Sequence, residues 1–196
     1  MSENEFNTKI NSFISNFKNK LSLINNESFK TNQLKKIKLF EKELTKNYKN
    51  STKLNPGKPS PEFKNYLNYN GSKASLKDFN GKYIYIDVWA TWCKPCKDEI
   101  PFLQKLENLY HNKNIEFISI SIDSKQDYQI WKSMIADKKM SGTQLFANGD
   151  TNFTENYNIN SIPRFILIDA SGNIINANAP RPSDNKLIET LNSLDI

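Results

Sequence analysis

Arginine, histidine and cysteine are all scarce in this chain of 196 residues. Only Arg164 and Arg181 carry a guanidinium, so the planar fork that grips phosphates and guanines through paired bonds is almost missing. Positive charge comes instead from lysine. The formal net charge of +6 reads as a solvated lysine surface, since no aromatic residues interleave a basic stripe and nucleic acid is not a favoured partner. His111 is the sole histidine; with two cysteines it falls short of the about four ligands of a zinc site. Its position at the end of a lysine-rich helix fits a partner for the helix dipole, and no metal is expected. Also lacking is any apolar run long enough to span a bilayer, and the polar start Met1 to Lys9 has no apolar core of the kind an export signal carries. Two readings stand: a cytoplasmic protein, or a sequence that starts after a signal or a larger N-terminal region.

The two cysteines stand together, three apart, in the most informative stretch of the chain. Tyr83 to Val88 is a short β-branched and aromatic run, as expected of a buried strand. Beyond Trp92, Ile100, Leu103, Leu106, Leu109 and Tyr110 recur at helical spacing. Cys93 therefore falls at the first turn of a helix, where unpaired N–H groups and the macrodipole favour a thiolate. Lys94 and Lys97 add positive charge, so the Cys93 thiol is expected to ionise below the free value of about 8.5 and to be the attacking sulfur. Cys96 shares its helix face and can close on the mixed disulfide. Pro95 costs nothing in a first turn that has no i−4 bond to lose.

The run Trp89-Ala90-Thr91-Trp92-Cys93-Lys94-Pro95-Cys96-Lys97 resembles the thioredoxin active site, with Asp87 six residues before the first cysteine, where thioredoxins carry a buried acid. The continuation Lys97-Asp98-Glu99-Ile100-Pro101 resembles the TlpA-like branch of bacterial thiol-disulfide oxidoreductases, whose glutamate near the site corresponds to Glu99. The wider run, including Ser161 to Asp169, is similar to redoxin domains, and the resemblance covers roughly residues 55 to 196. It implies that Ile162-Pro163 is a cis bond beside the cysteines, leaving backbone free to pair with an extended substrate. It also implies protein thiol or disulfide substrates, an upstream redox partner, a periplasmic or cell-envelope setting, and no cofactor beyond the Cys93–Cys96 pair. Asp87, an acid in an apolar strand, is expected to have a raised pKa and to take the proton of Cys96; the alternative is a solvent-facing edge position. Glu99 is either a catalytic neighbour or a helix-dipole partner. Trp92 is expected to shield the Cys93 thiolate and contact substrate.

Residues 1–52 carry two helical stripes without catalytic residue types. The first runs Phe6, Ile10, Phe13, Ile14, Phe17, Leu21 and Ile24, opened by a Ser2-x-x-Glu5 capping box. The second runs Leu34, Ile37, Leu44 and Tyr48, widened by Leu39 and Phe40. Two antiparallel helices follow, which bury each other, lean on the rest, or form a docking or dimerisation arm. Residues 53–61, with three prolines and Gly57, break the periodicity and read as a linker. Residues 62–196 are expected to form an α/β, thioredoxin-like domain: a central mixed sheet flanked by helices, an N-terminal hairpin with arms Glu62 to Tyr69 and Lys73 to Leu76 about Asn70-Gly71, and an inserted helix over Tyr128 to Ile135.

Three functions fit the residues. The first is a dithiol-disulfide oxidoreductase, acting as a reductase by resemblance. The second is a thiol peroxidase, disfavoured because Ala90 and Ile86 stand where a peroxiredoxin site has a hydroxyl residue and a proline. The third is an interaction module with a structural Cys93–Cys96 bond.

Overall fold

The computed structural model describes residues 2–196, the side chain of Asn50 excepted; Met1, the first residue of the polar start, lies outside them. The chain divides into two compact units, Met1–Lys53 and Leu54–Ile196.

The first unit is a pair of helices, α1 (Glu3–Ser22) and α2 (Glu27–Lys53). Ser2 caps α1 in a full capping box: its N–H donates to Glu5 Oε2 at 2.8 Å and its Oγ accepts from the Glu5 N–H at 3.2 Å. The seam between the helices buries Ile10, Ile14 and Ile37, flanked by Phe6, Phe17 and Leu44. Phe6 near the start of α1 stacks on Tyr48 near the end of α2, ring centroids 3.9 Å apart, so the helices run antiparallel. Phe13, Ile24, Leu34, Leu39 and Phe40 stay exposed. One helix can cover only part of another's apolar stripe; Phe13 and Phe40 meet each other, ring centroids 6.4 Å apart, at the rim of the seam.

In the second unit the elements are β1 (Tyr66–Asn68), β2 (Lys73–Ala74), β3 (Tyr83–Trp89), α3 (Lys94–Leu109), β4 (Ile115–Ser121), α4 (Tyr128–Lys138), β5 (Thr143–Phe146), α5 (Asn152–Asn156), β6 (Arg164–Ile168), β7 (Ile174–Asn176) and α6 (Asn185–Asn192). Its sheet has the order β2-β1-β5-β4-β3-β6-β7. β3 pairs in parallel with β4, and β4 with β5; β6 runs antiparallel to β3. This is the mixed thioredoxin-like sheet that the sequence pattern predicts. The hairpin is shorter than expected, because only Tyr66↔Ala74 and Leu67↔Lys73 pair. Asn65 adopts a left-handed φ of 56°, which ends the extended run, and Pro61 has no N–H to give to a ladder. Residues 54–61 lie along β7: the Gly57 N–H donates to the Ile174 carbonyl at 2.8 Å and the Ile174 N–H to the Lys58 carbonyl at 2.8 Å.

Strand alternation sends side chains to two cores. Ile84, Ile86 and Val88 of β3 join Ile118, Ile120, Leu145 and Ile166 on one face, closed by Phe153 and Tyr157 from α5 and its C-terminal end. Tyr85 meets Phe117, Phe165, Leu103 and Leu106 on the other, under α3 and α6. At the end of that second face Trp89 packs with Trp131 and Ile135 of α4, Phe146, and both cysteines.

Candidate active site

β3 is paired with β4 from Tyr83 to Trp89 and with β6 from Ile84 to Val88, and it delivers the chain at Trp89 into a tight bend. There the Cys93 N–H donates to the Ala90 carbonyl at 3.0 Å. Cys93 is the N-cap of α3, and its sulfur accepts from the Cys96 N–H at 3.2 Å. The helix therefore supplies the pairing that its open N-terminus needs through a sulfur rather than a hydroxyl. Cys93 and Cys96 form a disulfide, Cα atoms 5.3 Å apart, and both are buried. Lys97 reaches back to the Thr91 carbonyl at 3.0 Å, while Lys94 leans on Asp98 at the surface. Trp92 is 66% exposed, an apolar side chain presented beside the disulfide.

Asp87 is inside, not at an edge. It lies on the same face of β3 as Tyr85 and Trp89, beneath α3, and is 4% exposed. Burial, reinforced by the negative field of Glu99 and then Glu107, pushes its carboxyl up to about 8. The peptide bond Ile162-Pro163 is cis, and Ile162 packs against the cluster that holds both cysteines. Glu99 is also buried, but its carboxylate is taken up elsewhere. It accepts from the Ser183 N–H and hydroxyl, each at 2.9 Å, and from Arg181 at 3.4 Å. Its partners tie α3 to the loop before α6.

One residue central to this geometry was not singled out by the sequence. Asp123, just past β4, is fully buried. Its carboxylate accepts from the Thr91 N–H at 2.9 Å, from the Thr91 hydroxyl at 2.8 Å and from Ser121 Oγ at 2.6 Å. The β3/β4 register Trp89↔Ser121 is what sets Asp123 alongside Thr91. A carboxylate with that many donors pins the bend two residues before the first sulfur. Resemblance places the proline-stiffened loop Ala179 to Asp184 beside the site without giving any of its residues a task; the fold gives Arg181 and Ser183 theirs, as partners of Glu99.

The Redoxin family model matches residues 55–193. The chain belongs to the Redoxin family. The match is supported by ResA, a thiol-disulfide oxidoreductase of Bacillus thuringiensis subsp. konkukian, 31% identical over 123 residues that make up 63% of this chain and 69% of ResA. A crystal structure from Bacteroides vulgatus, proposed to be a thiol-disulfide oxidoreductase, is 41% identical and superposes with a TM-score of 0.66, covering 72% of this chain and 98% of that one. The thioredoxin domain of a thiol-disulfide oxidoreductase from the same organism is 28% identical, with a TM-score of 0.66 over 73% of this chain and 99% of that one. This redoxin is a thiol-disulfide oxidoreductase of thioredoxin fold, with its vicinal cysteines joined as one bond. Among the described residues no helix is long and apolar enough to cross a membrane.

Proposed function

We propose that this redoxin works as a reductase of protein disulfides, with Cys93 as nucleophile and Cys96 as resolving thiol. In the reduced enzyme the Cys93 thiolate attacks one sulfur of a substrate disulfide. The substrate bond breaks, a mixed disulfide forms on Cys93, and one substrate thiolate departs. The ionised form of Asp87 then takes the proton of Cys96, which attacks Cys93, forming the Cys93–Cys96 bond and expelling the second substrate thiolate. Two electrons have passed to the substrate, and an upstream dithiol partner must return them.

The observation that carries this reading is Cys93 as the N-cap of α3, its sulfur accepting a backbone N–H; a thiolate placed there has its charge partly met before any substrate arrives. Asp87 supports the direction. A carboxyl held at about 8 beneath α3 opposes negative charge on nearby sulfur once it ionises, which disfavours the dithiolate and makes the pair a better electron donor. Trp92 and the Ile162-Pro163 bend are the proposed substrate contacts, an apolar platform and a backbone edge for an extended segment. A periplasmic or envelope setting fits the TlpA-like character of the cysteine motif.

The test is trapping with reduced protein and a disulfide substrate such as insulin. Cys96→Ser should accumulate a mixed disulfide through Cys93, Cys93→Ser should accumulate none, and neither should turn over. A potential near the reducing end of the superfamily range, about −270 mV, is expected, and one near about −120 mV would reverse the assigned direction. Consumption of hydrogen peroxide without dithiol turnover would replace the reading altogether.

A further inference from the structure

Across the face of the sheet that α3 covers, one row of side chains is polar where its neighbours are aromatic. The β3/β4 register sets Asp87 opposite Ser119, and the β4/β5 register sets Ser119 opposite Gln144. The three residues are 4%, 1% and 3% exposed. The rows on either side are Tyr85–Phe117 and Trp89–Ser121–Phe146. In the polar row Asp87 Oδ1, Ser119 Oγ and Gln144 Oε1 each lack a hydrogen-bond partner in the protein. Buried oxygens in that condition are costly, and three in register on adjacent strands are not an accident of packing. Adjacent strands lie about 4.8 Å apart. No direct bond joins these three oxygens, and a buried polar row of this kind suits bridging by water, which needs two to four polar partners.

The row has an exit. Gln144 Nε2 donates to the Ser141 carbonyl at 2.6 Å, and Ser141 Oγ donates to the carboxylate of Glu107. Ser141 is exposed and Glu107 half-buried, so the row that starts beneath α3 ends at solvent beside β5. The charged and titratable groups facing Asp87 are Tyr85 on its own strand and Glu99 and Glu107 on α3; Arg181 sits beyond Glu99.

We propose that Ser119 and Gln144 hold ordered water between Asp87 and the β5 edge, and that the proton Asp87 takes from Cys96 leaves by this row. The inference rests on the role given to Asp87 above. When Cys96 attacks, its S–H bond breaks and the proton passes to the Asp87 carboxylate. The carboxylic acid then returns to its charged form by handing a proton to the Ser119-bound water, whose chain delivers one to bulk near Glu107. No electrons move along the row. Its use is positional: a docked protein substrate covers Cys93 and Trp92, and the proton still has a way out on another side. Ser119 and Gln144 are positioning residues in this scheme.

The test is single-turnover reduction of a disulfide by the full chain, resolving mixed-disulfide formation from its resolution. Ser119→Ala should slow resolution about five-fold, the worth of one lost hydrogen bond, and raise its solvent isotope effect. Formation of the mixed disulfide should be unchanged. Ser119→Thr, which keeps the hydroxyl, should restore the rate, and Gln144→Met should reproduce the alanine effect from the other end of the row. Resolution at the parent rate in both Ser119→Ala and Gln144→Met would overturn the proposal, and so would equal slowing of both steps. The Cys96→Ser trap run beside these variants separates the two ideas: if it fails, the catalytic assignment is at fault, whereas a working trap with insensitive variants removes only the proton route.

Discussion

The two units of this protein solve opposite problems. Residues 1–53 hold eleven lysines against five acidic residues and so carry the entire net charge of +6, while the remainder balances sixteen cationic against sixteen acidic residues. The helical unit buries three isoleucines in its seam and leaves Leu23 and Leu39 more than two-thirds exposed. The redoxin unit encloses whole aromatic side chains, Trp89, Trp131 and Tyr85 among them, and also tolerates buried acids. A two-helix seam has too little interior to carry a buried charge, whereas a sheet covered on both faces has interior to spare for Asp87 and Asp123. The chemistry lives where burial is deep enough to shift a carboxyl.

The largest expected effect tests that contrast through Asp87. Its folded pKa of about 8 lies above the ordinary 3.8, so between those values the native state keeps a proton that the unfolded chain gives up. Stability from this group is therefore fully present below about pH 4 and is lost as pH rises towards 8. Asp87→Asn should abolish the slope, gaining on the order of 4 kcal/mol on the parent between pH 4 and pH 7, as read from urea midpoints across that range. Parallel curves for parent and variant would show that the carboxyl is not buried as described.

A second contrast compares cores. Ile118→Ala, in the packed sheet, should cost about 2–5 kcal/mol. Ile14→Ala should cost below about 2 kcal/mol, because a seam open to solvent relaxes around the gap. Hydrogen exchange followed separately in strand and helix amides checks both, and equal losses would mean that the helical seam is as tightly packed as the sheet. The smallest effect is at Ser2: Ser2→Ala removes the capping box and should destabilise α1 by about 1 kcal/mol, while disulfide reduction proceeds at the parent rate. A change in that rate would tie the helical unit to catalysis.

What could be read from the sequence was what is local. The strand, the Cys-x-x-Cys bend and the helix follow one another without interruption, so Cys93 at a helix start and Asp87 as a buried acid were both within reach of residue-by-residue argument, although Cys93 is the cap of α3 rather than part of its first turn. The capping box at Ser2 and Glu5 was equally so. Asp123 was not, because its importance comes from the β3/β4 register that brings it beside Thr91. Arg181 and Ser183 lie more than eighty residues from the Glu99 they hold. The expected length of the first hairpin strand failed because β propensity runs on past Asn65, where the backbone turns left-handed. Apolar spacing also put Leu34 and Phe40 on the stripe of the second helix, and both stay exposed. Periodicity identifies a sticky face and says nothing about whether a neighbour exists to cover it.

β3 is hydrogen-bonded along both sides, with β4 and β6 as its neighbours. A strand in the middle of a sheet is among the last parts of a molecule to open. The sulfurs are therefore mounted on ground that does not give way when they gain or lose electrons. Movement that accompanies the redox cycle is expected at the helix start and the loops around it, and amides of Ile86 and Val88 should exchange at one slow rate whichever oxidation state the enzyme is in.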